Sequence, residues 1–188
     1  MRLLAAAFLL IHPATTLQTV GIVGAGPAGL TLAVALNRAL PDVAVTIFDR
    51  SDSCRPALGG GVQLDSGAAV LARLDPALGA AVAKLGQPVR RVRSRTAGGD
   101  ALLDLDLAAA IRGNARARER GLVDADGGVR AYTIMRDALQ STLRDALGSQ
   151  TKLEFGAAVK GIRAAAGGGS EIKLADGTAR RFDLVAGC

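Results

Sequence analysis

Six residues near the start of the chain, Gly24-Ala25-Gly26-Pro27-Ala28-Gly29, have the types and spacing that admit a phosphate group. Gly24 permits a sharp turn out of a strand. Gly26 lets the backbone approach a pyrophosphate closely, and Gly29 lets a following helix pack against that strand. With Ala25, Pro27 and Ala28 completing the turn, the free N–H groups and positive end of the helix face the phosphates. Asp49 lies 20 residues after Gly29, where its carboxylate can accept hydrogen bonds from a ribose. An acid there favours an unphosphorylated adenosine ribose, hence FAD or NAD over NADP. The neighbouring Arg50 reads equally as an exposed strand end or as a partner for a 2′-phosphate.

The motif has this meaning only between a strand and a helix, and the flanking residues supply both. Thr19 to Val23 is a short apolar, β-branched run, read as a buried strand. Pro27 to Leu40 reads as a helix that ends at Pro41-Asp42, and Val43 to Phe48 as the next buried strand. This βαβ unit of about 30 residues implies a parallel sheet with a right-handed crossover. Further along, Gly59-Gly60-Gly61 marks a tight loop, and Ser66 to Leu74 reads as a helix stopped by Asp75-Pro76. Pro88 to Arg95 and Ala101 to Leu107 read as strands around a Gly98-Gly99-Asp100 turn, and Asn114 to Gly128 as an exposed connection. Leu139, Leu143 and Leu147 recur every fourth residue, giving an amphipathic helix over Met135 to Leu147. Lys152 to Phe155, Val159 to Ala164 and Glu171 to Leu174 follow as strands, with a hairpin turn at Ala175-Asp176-Gly177-Thr178. Phe182 to Ala186 is expected to be a final buried strand. The fold class is α/β: a Rossmann-like, FAD-binding type of domain with a parallel sheet, helices and a small β-meander.

Composition narrows the chemistry. About half of the 188 residues are apolar, aromatics are 3% and Trp is absent, while the net charge is +6. The excess sits in Arg90-Arg91-Val92-Arg93-Ser94-Arg95 and in Arg112 to Arg120. Neither cluster has interleaved aromatics, so nucleic acid is not an expected partner. A solvated face is the preferred reading of both clusters over a membrane-surface patch. Cys54, Cys188 and His12 lack metal-ligand spacing, and no Ser-His-Asp or Cys-His pair exists, so neither a metal site nor a catalytic side chain is expected. Asp104 and Asp106 share one side at strand spacing, but a solvated edge is preferred over a paired-carboxylate role.

Residues Val20 to Leu30 resemble the opening of class A FAD-dependent monooxygenases, the aromatic-ring hydroxylase-like flavoproteins, in which the fingerprint binds the ADP half of FAD. Val45 to Arg50 is similar to their second strand, although many members have Glu where this chain has Asp49. Arg55 followed by Gly59-Gly60-Gly61-Val62-Gln63-Leu64 resembles a segment that runs beside the flavin. Met135-Arg136-Asp137-Ala138-Leu139 resembles one whose arginine reaches the cofactor. Phe182 to Cys188 looks like the strand leading into an Asp-Gly motif. Within the family, the order Glu119-Arg120-Gly121-Leu122, Ile134-Met135-Arg136, Leu139-Gln140 is similar to that of zeaxanthin epoxidases. The resemblance implies FAD held by the six fingerprint residues with Asp49, Arg50, Arg55, Gln63 and Arg136, NAD(P)H as reductant, and a small organic molecule as oxygen acceptor.

The resemblance also implies a C-terminally truncated chain with an incomplete substrate domain, since the Asp-Gly and later Gly-Asp segments are absent. Residues 18–188 are then the FAD-binding domain, with part of the substrate region at about 88–132. Residues 1–17 read as a leader, because Arg2, the apolar run Leu3 to Ile11 and the small residues Ala14-Thr15-Thr16 resemble a signal peptide for the secretory pathway or an organelle such as a plastid. That run is too short to span a bilayer, which needs about 20 residues, so membrane association gains no support. Two other functions stay open: a catalytically silent FAD-binding module, and an NAD-dependent dehydrogenase.

Overall fold

The computed structural model describes residues 17–54 and 60–188. The leader expected at the N-terminus lies outside the described residues apart from Leu17, which packs against the main core. The chain enters through β1 (Thr19–Val23), α1 (Pro27–Ala39) and β2 (Ala44–Phe48). Pro27 occupies the first turn of α1, where its missing N–H costs nothing and its fixed φ suits a helix. Leu30, Ala33 and Val34, spaced i, i+3, i+4, are fully buried on one side of that helix. β1 and β2 pair in parallel, with Val23 opposite Phe48 at the end that carries the glycine turn.

Next come β3 (Gly61–Leu64), α2 (Ser66–Leu74), α3 (Pro76–Leu85), β4 (Gln87–Pro88), β5 (Arg91–Arg95), β6 (Ala101–Asp106), α4 (Leu107–Gly113) and α5 (Ala115–Glu119). Several of these depart from expectation. Asp75-Pro76 ends one helix and starts another, because the Asp75 carboxylate accepts the Ala77 N–H at 2.9 Å while Pro76 fills the first position. Gly61, expected in a loop, begins a strand. Residues 107–119, read as strand end and connection, form two short helices. Their N-caps are Asp106, which accepts from Ala109 N at 2.8 Å, and Asn114, which accepts from Ala117 N at 3.2 Å.

The chain ends with β7 (Tyr132–Met135), α6 (Arg136–Asp145), β8 (Thr151–Glu154), β9 (Val159–Ala164), β10 (Ser170–Leu174), β11 (Ala179–Phe182) and β12 (Leu184–Gly187). The expected single strand over residues 182–186 is two strands. Between them Asp183 turns the chain, its Oδ2 accepting from Gln18 N, Thr19 N and Thr19 Oγ1 at 3.0, 2.8 and 2.9 Å. β12 then pairs with β1 at the sheet edge and is half-buried to exposed rather than buried.

A parallel sheet ordered β12-β1-β2-β8 results. Alternation along each strand divides the residues between two faces. Val20, Ile22, Val45 and Ile47 face α1 and α6, where Leu139 and Leu143 are buried. Phe48 faces the antiparallel meander β9-β10-β11 and packs with Ile172, Leu174 and Phe182. The rings of Phe48 and Phe182 meet edge-on, 5.7 Å apart, and Arg180 lies 5.6 Å from the Phe48 ring centre. Gly21 leaves room for this second layer, since a Cβ there would lie 3.0 Å from both Ile172 Cδ1 and Phe182 Cδ2.

The arginine-rich segments are solvated, as expected. Asp104 pairs with Arg91 and Arg93 across the β5–β6 hairpin, and Asp106 serves as a helix cap. No helix among the described residues is long and apolar enough to cross a membrane.

Candidate functional site

The glycine turn sits at the C-terminal ends of β1 and β2, the end where open α/β sheets take ligands. Gly24 has φ of 112°, a left-handed conformation that favours glycine, and its N–H donates to Phe48 O at 2.8 Å. A Cβ on Gly24 would lie 2.3 Å from Cys188 O, and one on Gly29 would lie 2.0 Å from Gly24 O. Both glycines are therefore required by the protein's own packing. Gly26 differs: a Cβ there would have only Arg136 Nη2 within 4 Å, at 3.9 Å. Its backbone, at φ −71° and ψ 174°, is open to any residue. Among the described residues nothing excludes a Cβ at Gly26, and Gly26 borders a cavity.

That cavity has a volume of about 790 Å³ and is bordered by Gly24, Gly26, Asp49, Arg50, Arg136 and Gln140, with Phe155, residues 157–160 and Cys188 on its other sides. Sheet ends, α1, α6 and the start of the meander thus converge on one space. Gly26 stands at the N-cap of α1 and supplies no side-chain cap, leaving the first N–H groups of the helix without a capping side chain among the described residues.

Asp49 is half-buried and already engaged. Its Oδ2 accepts Ala25 N at 2.7 Å, and its Oδ1 accepts Ser51 N at 2.8 Å. Burial pushes its carboxyl up, but the Ser51 and Ala25 hydrogen bonds and the Arg50 charge outweigh that and hold it below its ordinary value of 3.8. The acid expected to meet a ribose therefore also fastens the glycine turn to β2. Each oxygen keeps a further lone pair for a ligand hydroxyl. Because the folded value is depressed, its contribution to stability is complete above about pH 4 and is lost as pH falls through the folded value. Asp49→Asn should cost ~1–3 kcal/mol at pH 7. Urea unfolding at a series of pH values should show a shallower acid decline in the variant than in the parent, and equal slopes would remove Asp49 from this role.

The structure brings several of the expected residues together and leaves others apart. Gly24, Ala25 and Gly26 form the turn and Pro27, Ala28 and Gly29 the first turn of α1, while Gly24, Gly26, Asp49, Arg50 and Arg136 border the same cavity. Arg136 is the first residue of α6, which projects it past Gly26. Gln63 is not brought to that cavity; it is exposed on β3, with Nε2 3.3 Å from Asp65 Oδ1. Arg55 and Gly59 lie outside the described residues. Gln140 was noted only as part of a sub-family pattern, yet its Nε2 donates to Ala25 O at 2.7 Å. Lys160, on β9, also borders the cavity and had no local signal. No cluster of metal-ligating side chains exists among the described residues.

Known proteins resemble the chain as follows. Residues 22–85 match the NAD(P)-binding Rossmann-like domain family. The aurachin C monooxygenase/isomerase of Stigmatella aurantiaca is 33% identical over 172 residues, which are 90% of this chain and 39% of that protein. The Klebsiella pneumoniae HpxO R204Q variant, solved as a complex with FAD, superposes with a TM-score of 0.66 at 20% identity over 89% of this chain and 38% of its own. The tetracycline destructase Tet(51) gives a TM-score of 0.61 at 20% identity over 92% and 38%. The chain thus spans about two fifths of the length of each of these proteins.

Proposed function

We propose, for a chain that carries the nucleotide-binding part of the FAD-dependent monooxygenase fold, that it binds FAD through the glycine turn and serves a flavin-dependent oxygenation of a small organic molecule with NAD(P)H as reductant. One observation carries the cofactor reading: Gly26 has no neighbour that needs a glycine, so its place in the motif is explained by a group that must approach from the cavity.

The residues present fit such a group. The uncapped N–H groups of α1 and the Gly26 backbone would receive the pyrophosphate. Arg136, and with it Arg50 and Lys160 on the rim, would balance the phosphate charge. Asp49, held ionised, would accept hydrogen bonds from the adenosine ribose hydroxyls. When bound, the flavin supplies the redox and oxygen chemistry, and the protein binds and orients it. No nucleophile or general base is needed from the chain on this reading. We further take residues 18–188 as the FAD-binding portion, with the β5–β6 hairpin, α4 and α5 in the substrate-facing region of about 88–132.

An NAD-dependent dehydrogenase is the second reading, favoured by the family model that matches residues 22–85. Titration of the purified protein with FAD, followed by flavin fluorescence, and with NAD, followed by calorimetry, separates the two. FAD should bind and be displaced by ADP. Arg136→Met should weaken FAD about tenfold, the loss of one charge-assisted hydrogen bond. Binding of NAD without FAD would overturn the flavoprotein reading.

A further inference from the structure

Ala25 is fully buried, and its two peptide groups are held from opposite sides. Its N–H donates to Asp49 Oδ2 just after β2, and its carbonyl accepts from Gln140 Nε2 on α6, each at 2.7 Å. Gln140 lies 115 residues further along the chain, one helical turn after Arg136. Because the acceptor is a carbonyl oxygen, only the amide nitrogen of Gln140 can make this contact. In a trans peptide the C=O and the following N–H point in opposite directions. Fixing the Ala25 carbonyl therefore fixes the direction of the Gly26 N–H, which takes no partner among the described residues; Gly26 itself borders the cavity.

On these grounds we infer that Gln140 is a positioning residue for phosphate binding: it locks the Ala25–Gly26 peptide in the rotation that presents the Gly26 N–H to a dinucleotide pyrophosphate. The inference rests on the cofactor reading above, and deepens it by giving α6 two tasks one turn apart. Arg136 supplies charge at the cavity, while Gln140 reaches back and sets the donor. A loop peptide otherwise has freedom to rotate, and each ligand would then lose affinity by the fraction of time the donor is misdirected.

Gln140→Met keeps the length and apolar stem but has no donor. Gln140→Glu sets a carboxylate against the Ala25 carbonyl. Binding of ADP by calorimetry and of FAD by fluorescence, melting midpoints, and amide hydrogen exchange of the unliganded full chain are measured for each variant. Both ligands should weaken about tenfold in the Met variant and further in the Glu variant. Exchange should rise at residues 24–29 and stay unchanged in β1 and α6, with little shift in the melting midpoint. Unchanged ADP affinity in the Met variant, unchanged exchange at residues 24–29, or an affinity loss that merely follows a general loss of stability would overturn the inference. Parent protein that binds neither ADP nor FAD sinks the cofactor reading instead, and the exchange comparison still decides whether Gln140 locks the turn.

Discussion

Gly26→Val should abolish measurable FAD binding while leaving the protein as stable as the parent. The valine side chain would occupy the space beside Arg136 Nη2, where the structure has no neighbour closer than 3.9 Å. The added Cβ therefore meets no clash among the described residues, the nearest atom is the end of a flexible arginine, and the extended backbone at Gly26 suits a β-branched residue. A pyrophosphate approaching from the cavity would meet that side chain and lose its contacts with the turn. Losing two charge-assisted hydrogen bonds, each worth roughly 1.5–3 kcal/mol, corresponds to an affinity loss of roughly 100-fold or more. Fluorescence titration against the parent, beside matched thermal melts, checks both halves. Parent-like FAD affinity would place the cofactor somewhere other than this turn.

The opposite pattern is expected three residues later. Gly29→Ala adds a single carbon that would lie 2.0 Å from Gly24 O and 3.3 Å from Ile22 Cγ2. The nearest atom is backbone, so it cannot swing aside as a flexible side-chain end would. The helix must move off the strand or the turn must open. Overpacking of this kind costs about 3 kcal/mol or more, which lowers the melting midpoint by roughly 6–12 °C for a domain of this size. Any loss of FAD affinity should follow from the unfolding. A melting midpoint equal to that of the parent would show that the contact between α1 and β1 is looser than the structure has it.

The two glycines show what a sequence can and cannot tell. Their spacing announces a tight strand-to-helix turn, and β1, α1 and β2 announce themselves by buried apolar runs with a proline at each end of the helix. α6 is legible because Leu139 and Leu143 recur on its buried side. α3 and α4 are not, because their alanine-rich sequences carry weak periodicity and their caps, Asp75 and Asp106, also read as turn or strand residues. The break at Asp183 depends on Gln18 and Thr19, which are 165 and 164 residues away. Gln140 likewise meets Ala25 only through the fold. Local sequence cannot encode contacts at that separation. Gln63 shows the converse: a sequence neighbourhood pointed to the cofactor, but its strand direction leaves the side chain outside the cavity.

Asp183 and β12 also bear on how the protein is made. β1 leaves the ribosome well before the strand that closes its edge, residues 184–187, and the carboxylate that grips its start belongs to Asp183, 164 residues after Thr19. Such long-range parallel pairing is slow, because loop closure precedes any reward from contact. During synthesis the β1 edge waits, unpaired, until residues 184–187 emerge, and the apolar side of Phe48 waits for the meander β9-β10-β11. Until then the nascent protein presents an open sheet edge, the form in which chains associate wrongly.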